Sequence, residues 1–444
     1  MRTEGNISTS FRAVLLFSAS VAVCAPHVTA AAENDWPHWR GPDRSDVVGE
    51  DSRYAQGAWP PSNVAWQKNV GTGSTSPLVV DGRLYVLGWD GRRDKVFCLN
   101  ATTGAEIWRT SYTAPKFGRN AVGDQGVYSA ITATPEFDPK TGFLYTLSID
   151  GDLNCWDTAS DGQRVWGINL YDEYDVRRRP KVGRSGQRDY GFTTAPLIHE
   201  DCVIVEVGDD EGNLMAFAKD TGRRRWVSQC KDPAGHTGGP APISVEGVPS
   251  VAVLTHNGLL VARMDRGNEG RTVAQYGWVT EFANNIASAT VHDDCVLITS
   301  GYNHTAICKL KITLKGATKL WQQPVCSKVC SPIVYNKHIY WVWRRPVCLD
   351  FETGKVKWTG PATFSDAASC IVTADGRLII WSNRGDLVLA ETADRSPERY
   401  RELLRVGGTF RTDVWPHVVL AGGRIYCKDR SGNLKCFALQ ARAR

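Results

Sequence analysis

The sequence predicts an all-β fold, an eight-bladed β-propeller closed by an N-terminal strand that completes the last blade. Three observations carry this prediction. A phrase made of a strand, a Gly-containing turn and a Trp four residues after the Gly occurs four times. Alternating strand patterns bounded by hairpin residues recur along the chain, and a sustained helical period is almost absent. Self-similarity at a period of about 40–50 residues indicates stacked supersecondary units.

The repeated phrase ends at a Trp that we expect on the outermost strand of a blade. It runs from Leu99 to Trp108, from Asp157 to Trp166, from Lys219 to Trp226 and from Leu349 to Trp358. Packing a Trp over the neighbouring blade removes about 150 Å² of ring from water, worth roughly 4 kcal/mol as an upper bound. We therefore interpret six Trp residues as blade-docking groups: Trp66, Trp108, Trp166, Trp226, Trp321 and Trp358.

Eight units of four strands account for residues 64–440. The units open near Pro77, Pro135, Pro196, Pro242, Ala289, Pro332, Ile371 and Pro416. The last unit has three strands and lacks its Trp strand, while a matching strand, Val64 to Val70, precedes the first unit. Pairing of Val64–Val70 with the strand near Leu434–Leu439 would close the ring and remove an open sheet edge.

Residues 1–30 are typical of a signal peptide. Arg2 and Arg12 are basic, Ala13 to Val23 is a short apolar run, and the segment ends in an A-x-A-like cleavage site at Ala30. We expect an exported protein, periplasmic or extracellular, with residues 31–63 as an N-terminal extension. Lipid anchoring at Cys24 is not expected, because Val23 stands where a small residue is wanted. No other stretch is apolar enough for a transmembrane span.

The net charge argues against nucleic-acid binding, and the positions of the cysteines argue against a zinc site and against disulfides between the repeats. The net charge of +5 is too small to predict nucleic-acid binding. Four of the 13 cysteines share one repeat position (Cys98, Cys155, Cys348 and Cys436). Equivalent positions in different blades lie far apart, so these four cannot pair and we interpret them as small buried hydrophobic residues. Cys326 and Cys330 are close enough in sequence to form a disulfide, and ligand spacing for a zinc site is absent.

The repeat resembles the pyrroloquinoline-quinone-like (PQQ-like) propeller repeats shared by quinoprotein dehydrogenases and BamB-type outer-membrane assembly factors. The turn and Trp phrase is similar to the Trp-docking motif of those repeats. The run from Asp35 to Pro42, DWPHWRGP, is similar to the opening phrase of exported PQQ-like propellers of Planctomycetes, and the runs from Ser300 to Asn303 and from Gly385 to Ala390 are also similar. The resemblance covers essentially the whole mature chain and implies a fold more firmly than an activity.

In this family, dehydrogenases hold PQQ with a Ca²⁺ ion, use an Asp as base and often carry a disulfide of adjacent cysteines. Ca²⁺ needs several oxygen ligands together. The sequence has no adjacent cysteine pair and no ligand motif in the family's order. The acidic turn from Gly208 to Gly212 falls where a solvated hairpin is expected. We therefore predict no catalytic residues, no metal site and no cofactor, with PQQ and Ca²⁺ as the alternative.

A basic insert between the second and third units is the candidate binding surface. It spans roughly Asn169 to Thr194 and carries six cations: Arg177, Arg178, Arg179, Lys181, Arg184 and Arg188. Long loops on a rigid scaffold often carry function, and clustered cations near Tyr residues suit an anionic partner. The competing interpretation is a solvated loop whose charges aid solubility.

These observations predict a non-catalytic, exported propeller scaffold, not an enzyme, that binds a protein or cell-envelope partner through its loop face. The first alternative is a quinoprotein oxidoreductase that uses PQQ and Ca²⁺ to oxidise an alcohol or a sugar. The second alternative is a carbohydrate- or lipid-binding module.

Overall fold

The structure is a computed structural model. It describes residues 1–2, 34–61, 64–114, 130–174, 176, 181–182, 186–187, 191–208, 211–235, 239–280, 285–302 and 304–440. Within these ranges eight four-stranded antiparallel sheets follow one another along the chain. Neighbouring innermost strands contact each other between blades 2 and 3 and from blade 4 through blade 7. This confirms the predicted all-β, eight-bladed propeller.

The first four blades use strands β2–β9 and β12–β19, with a short helix and a two-stranded hairpin between blades 2 and 3. Blade 1 contains β2 (Leu78–Val80), β3 (Arg83–Trp89), β4 (Arg93–Asn100) and β5 (Glu106–Thr113). Blade 2 contains β6 (Glu136–Asp138), β7 (Phe143–Leu147), β8 (Asp152–Asp157) and β9 (Gln163–Asn169). The insert contains α1 (Leu170–Tyr174), β10 (Lys181–Val182) and β11 (Gly186–Gln187). Blade 3 contains β12 (Leu197–His199), β13 (Cys202–Glu206), β14 (Leu214–Ala218) and β15 (Arg224–Val227). Blade 4 contains β16 (Ala241–Val245), β17 (Val248–Leu254), β18 (Gly258–Arg263) and β19 (Thr272–Gly277).

The second four blades continue the same order. Blade 5 contains β20 (Thr290–His292), β21 (Cys295–Ser300), β22 (Ala306–Thr313) and β23 (Gly316–Gln323). Blade 6 contains β24 (Ile333–Tyr335), β25 (His338–Trp343), β26 (Arg345–Asp350) and β27 (Val356–Thr359). Blade 7 contains β28 (Ala368–Val372), β29 (Arg377–Ser382), β30 (Asp386–Glu391) and β31 (Glu402–Val406). Blade 8 contains β32 (Val419–Ala421), β33 (Arg424–Lys428), β34 (Asn433–Ala438) and, from the N-terminal end, β1 (Val64–Asn69).

The ring closes through β1, as the sequence predicts. This strand is the outermost member of blade 8 and pairs antiparallel with β34, with Gln67 opposite Lys435 and Asn69 opposite Asn433. The N-terminal strand thus covers an edge that would otherwise be left open for pairing with another chain.

Four blades share a Tyr–Cys–Trp row across their three outer strands. In blade 1, Tyr85 stands opposite Cys98 and Cys98 stands opposite Trp108. The same row occurs in blades 2, 6 and 8 as Tyr145–Cys155–Trp166, Tyr340–Cys348–Trp358 and Tyr426–Cys436–Trp66. All four thiols are completely buried. This agrees with the prediction that these cysteines act as small buried hydrophobic residues.

The Trp residues of the repeat lie at the boundary with the next blade. Trp66 Nε1 donates to Ala101 O of blade 1 at 3.0 Å, and Trp166 Nε1 donates to Lys219 O of blade 3 at 2.8 Å. Each ring covers the Gly of the neighbouring turn, where an added Cβ would lie 2.6 Å from Trp66 at Gly104 and 2.6 Å from Trp108 at Gly162. The Gly is needed for this close approach as well as for its positive φ.

The contacts of the remaining docking Trp residues differ from blade to blade. Trp321 Nε1 donates to Phe351 O at 3.1 Å, and Trp358 lies 5.7 Å from the Tyr400 ring of blade 7. Trp226 is only half-buried, and it packs on an apolar cluster shared by blades 3 and 4. The outermost strands of blades 4 and 7 have no Trp.

Candidate functional site at the channel mouth

Residues 35–53, called the mouth segment below, cross one mouth of the central channel. Trp36 pairs with Val79 of the innermost strand of blade 1 through two backbone hydrogen bonds of 2.6 and 3.0 Å. Trp39 Nε1 donates to Ser288 Oγ beside blade 5 at 3.1 Å. Val48 N donates to Val372 O of blade 7 at 2.9 Å. The segment therefore joins blades on opposite sides of the ring.

Arg40 fixes the centre of the mouth segment. Its guanidinium contacts Asp46 at 2.5 Å, Thr290 Oγ1 at 3.0 Å and Pro332 O at 2.6 Å, and the residue is 3% exposed. Asp46 also lies 3.3 Å from His417 Nε2 of blade 8. A buried guanidinium is tolerated only where partners satisfy it, and here blades 5 and 6 supply two acceptors.

A second group of buried polar and charged side chains joins the mouth segment to blade 2. Glu136 opens the innermost strand of blade 2 and pairs with Arg44, while His38 Nδ1 lies 3.0 Å from Glu136 Oε1. Burial alone would raise the pKa of Glu136, but the positive charges of Arg44 and His38 outweigh it and hold the pKa below its ordinary value. The carboxylate is thus ionised and bound to the protein's own cations.

A cavity of about 830 Å³ opens between the mouth segment and blades 2–4. It is lined by groups of both charges and by apolar residues, among them His38, Arg44, Asp138, His199, Lys219 and Pro242. Lys219 Nζ contacts Asp138 Oδ2 at 2.6 Å, which ties blade 3 to blade 2 at the cavity wall. Its volume lies within the range of small-ligand pockets.

Three buried carboxylates of this mouth are paired with cations of the chain itself and so do not offer a Ca²⁺ site. Ca²⁺ requires six to eight oxygen ligands with carboxylates free to bind it. Here Asp46 is held by Arg40, Glu136 by Arg44, and Asp138 by Lys219. Among the residues that the structure describes, no group of three or more His, Cys, Asp or Glu side chains could hold a metal ion.

Most cations of the predicted basic insert lie outside the described residues. Arg177, Arg178, Arg179, Arg184 and Arg188 are not described, and Lys181 is described only as part of strand β10. The two ends of the insert are held together, because the rings of Tyr171 and Phe192 lie 5.0 Å apart. Its helix α1 is anchored on blade 3 by Tyr174, 5.0 Å from the Arg224 guanidinium.

Sequence reasoning did not assign a role to the mouth residues. The DWPHWRGP run indicated similarity to a family, but it did not predict which residues its side chains contact. Arg40, Arg44 and Glu136 become a group only when the ring brings blades 2, 5 and 6 to one axis. The available signal in the sequence was Glu136, an acidic residue at the start of a predicted innermost strand.

In the described part of the chain, no helix is long and apolar enough to cross a membrane.

Known proteins are similar to this chain in sequence and in fold. A family model described as outer membrane protein assembly factor BamB matches residues 60–166 and 132–360. BamB of Nitrosomonas eutropha is 24% identical over 287 residues, covering 63% of this chain and 59% of the relative. The dehydrogenase subunit of the quinone alcohol dehydrogenase of Gluconobacter oxydans is 29% identical over 171 residues, covering 37% of this chain and 20% of the relative.

Among solved structures, the quinohemoprotein alcohol dehydrogenase of Comamonas testosteroni superimposes with a TM-score of 0.64 at 13% identity, covering 93% of this chain and 82% of that chain. This likeness shows the fold alone. The matched part spans less than two thirds of either curated relative's own length. The predicted likeness to Planctomycete propellers is not tested by these matches and stays a prediction.

Proposed function

This chain belongs to the family described as outer membrane protein assembly factor BamB, and from that premise we propose that it is an exported, non-catalytic propeller scaffold. It binds a protein or cell-envelope partner through its loop face. A rigid ring of eight blades holds loops in fixed positions, and loops on such scaffolds are common binding surfaces.

The occupation of the channel mouth by the chain itself carries this proposal. The mouth segment pairs its Arg40 and Arg44 with buried acceptors from blades 2, 5 and 6. A cofactor bound at this end of the axis would have to displace contacts that attach the mouth segment to the blades. This end of the propeller axis is therefore better suited to hold the ring together than to hold a redox group.

The binding surface that we propose is the basic insert between blades 2 and 3. Tyr171 and Phe192, near the two ends of the insert, lie with their rings 5.0 Å apart, so these ends share one base on the propeller. The ligand chemistry is anionic, such as an acidic peptide, since clustered Arg side chains favour carboxylates and phosphates. Binding should weaken as salt rises, because screening shortens the reach of exposed charges.

The quinoprotein alternative is favoured by the similarity to a quinone alcohol dehydrogenase subunit. A titration of the mature chain with PQQ, with and without Ca²⁺ and followed by Trp fluorescence, separates the two functions. The scaffold predicts no saturable change at tens of micromolar PQQ. A saturable, Ca²⁺-dependent change with dye-linked oxidation of an alcohol or sugar would overturn it.

The proposed surface is tested with a poly-glutamate peptide as the probe. The triple variant Arg177→Gln, Arg178→Gln, Arg179→Gln should weaken binding at least tenfold. The matched control is the triple Gln variant of Arg92, Arg93 and Arg109, three exposed Arg residues of blade 1. Equal loss in both variants would indicate non-specific attraction, and no loss in either would reject the insert. Binding of neutral oligosaccharides or neutral lipid vesicles instead would favour the carbohydrate- or lipid-binding module.

A further inference from the structure

Two thiols from neighbouring blades meet in the wall of the channel. Cys330 Sγ of blade 6 lies 3.9 Å from Cys370 Sγ of blade 7. Cys330 precedes the innermost strand β24, and Cys370 lies within the innermost strand β28, which packs against β24 and β25. Both residues are buried, at 5% and 0% exposure.

This pairing differs from the one that sequence proximity allowed. Cys326 lies beside Gly301 of blade 5 and does not face Cys330. Among the cysteines that the structure describes, Cys330 and Cys370 are the pair for which a contact between two sulfur atoms is found.

Both cysteines stand two residues before an anchor of the mouth segment. Pro332 O accepts from Arg40 Nη2 at 2.6 Å. Val372 exchanges backbone hydrogen bonds with the mouth segment, donating to Asp46 O and accepting from Val48 N, both at 2.9 Å. A covalent bond between the two thiols would therefore join the two strands that hold Arg40 and Asp46.

We propose that Cys330 and Cys370 form an inter-blade disulfide that fixes blades 6 and 7 beneath the mouth segment. Bond formation requires the two sulfur atoms to approach from 3.9 Å to about 2 Å, which requires rotation of the two side chains.

The oxidant is a low-molecular-weight disulfide such as oxidised glutathione. Cys330 loses its proton and its thiolate attacks one glutathione sulfur, forming a mixed disulfide and releasing one glutathione thiolate. The Cys370 thiolate then attacks Cys330 Sγ, forming the new bond and releasing the second glutathione. Two electrons pass to glutathione, and the two thiol protons are taken up by the two leaving thiolates. The exchange takes place during folding, before blades 6 and 7 bury the sulfur atoms.

The test is refolding of the purified chain in an oxidised and reduced glutathione buffer, followed by alkylation in denaturant and peptide mapping. We expect a linked peptide joining Cys330 and Cys370 and two fewer free thiols than in the reduced chain. Free thiols at both positions, or a linked peptide that joins Cys330 to Cys326, would overturn the proposal. Because the oxidant is added, this result is independent of the partner and of the destination of the chain.

Two further measurements separate a disulfide from mere thiol contact. A reductant should lower the Tm of the wild-type chain by about 5 °C, because the bond closes a loop of about 40 residues in the unfolded state. It should also speed amide exchange of Val48 and Val372 about tenfold. In the Cys330→Ser variant, the reductant should neither lower the Tm nor speed the amide exchange of Val48 and Val372. Cys348→Ser, in blade 6 and equally buried, should keep both effects. Retention of both effects by Cys330→Ser would overturn the proposal.

Discussion

Trp66 and Cys436 stand directly opposite each other in blade 8, although one lies at the start and the other at the end of the propeller sequence. Trp108 and Cys98 have the same relationship within blade 1. The ring is therefore closed by side chains of the ordinary repeat as well as by backbone pairing. In both places the Trp continues across the blade boundary to a Gly of the next turn.

This closure predicts a sharp difference between two truncations. A chain that begins at Val64 keeps β1 and loses the mouth segment, so it should remain a monomer with reduced stability. A chain that begins at Val70 leaves β34 as an open edge and should associate or aggregate, because unpaired edges recruit other strands. Light scattering after size-exclusion chromatography measures this, and two equally monomeric chains would contradict it.

The docking Trp residues should differ in how much they stabilise the fold. Trp108 is 6% exposed and lies on Gly162, so Trp108→Ala should lower the free energy of unfolding by about 3–5 kcal/mol. Trp226 is only half-buried, so Trp226→Ala should lower the free energy of unfolding by less than Trp108→Ala does. Chemical denaturation of both variants tests the order, and an unchanged midpoint for Trp108→Ala would contradict a docking role.

A Gly beneath a docking Trp should be far less replaceable than a Gly in open space. Gly162 has a φ of 72°, and an added Cβ would lie 2.6 Å from Trp108. Gly247 has a φ of 84° with nothing within 4 Å, so it is the matched control for backbone strain. Gly247→Ala should cost about 1 kcal/mol and Gly162→Ala about 2–4 kcal/mol. Equal Tm values would show that the Trp contact contributes nothing.

The buried ion pair of Glu136 and Arg44 at the channel mouth should show energetic coupling. Glu136→Gln leaves the partly buried Arg44 guanidinium without its counterion and should destabilise the fold by about 3–5 kcal/mol. Adding Arg44→Met should recover part of that loss, with a coupling of about 1–3 kcal/mol in a double-mutant cycle. Strict additivity of the two substitutions would show that the charges do not interact.

Stability should rise with pH because of Lys428. Burial lowers the pKa of Lys428 to about 7 from its ordinary 10.5, against the opposing effect of Asp429. Between these values the unfolded chain holds a proton that the folded chain lacks, so unfolding takes up a proton and raising the pH favours the folded state. Below pH 7 both states are protonated and the dependence disappears.

The measurement is the free energy of unfolding at pH 7.5 and pH 9.5 for the wild type and for Lys428→Met. The wild type should gain about 2 kcal/mol more than the variant over this interval. Parallel behaviour of the two chains would show that Lys428 titrates normally.

The repeat made most of the fold predictable. The Gly and Trp of each phrase are local signals four residues apart, and the three-stranded last unit together with the preceding Val64 strand predicted the closure that β1 and β34 form. The mouth was not predictable, because Arg40 meets Thr290 and Pro332 only after the chain has passed around more than half of the ring. The insert remains a prediction, since five of its six cations lie outside the described residues.

The sequence by itself determined the blade. Strand alternation, turn glycines and the Tyr–Cys–Trp row act over a few residues or between adjacent strands, where the period of the chain controls which side chains meet. The tertiary structure alone decided which groups share the axis. Closing a ring brings the start of every innermost strand to one place, and only there do Glu136, Arg44 and Arg40 find their partners and Cys330 find Cys370.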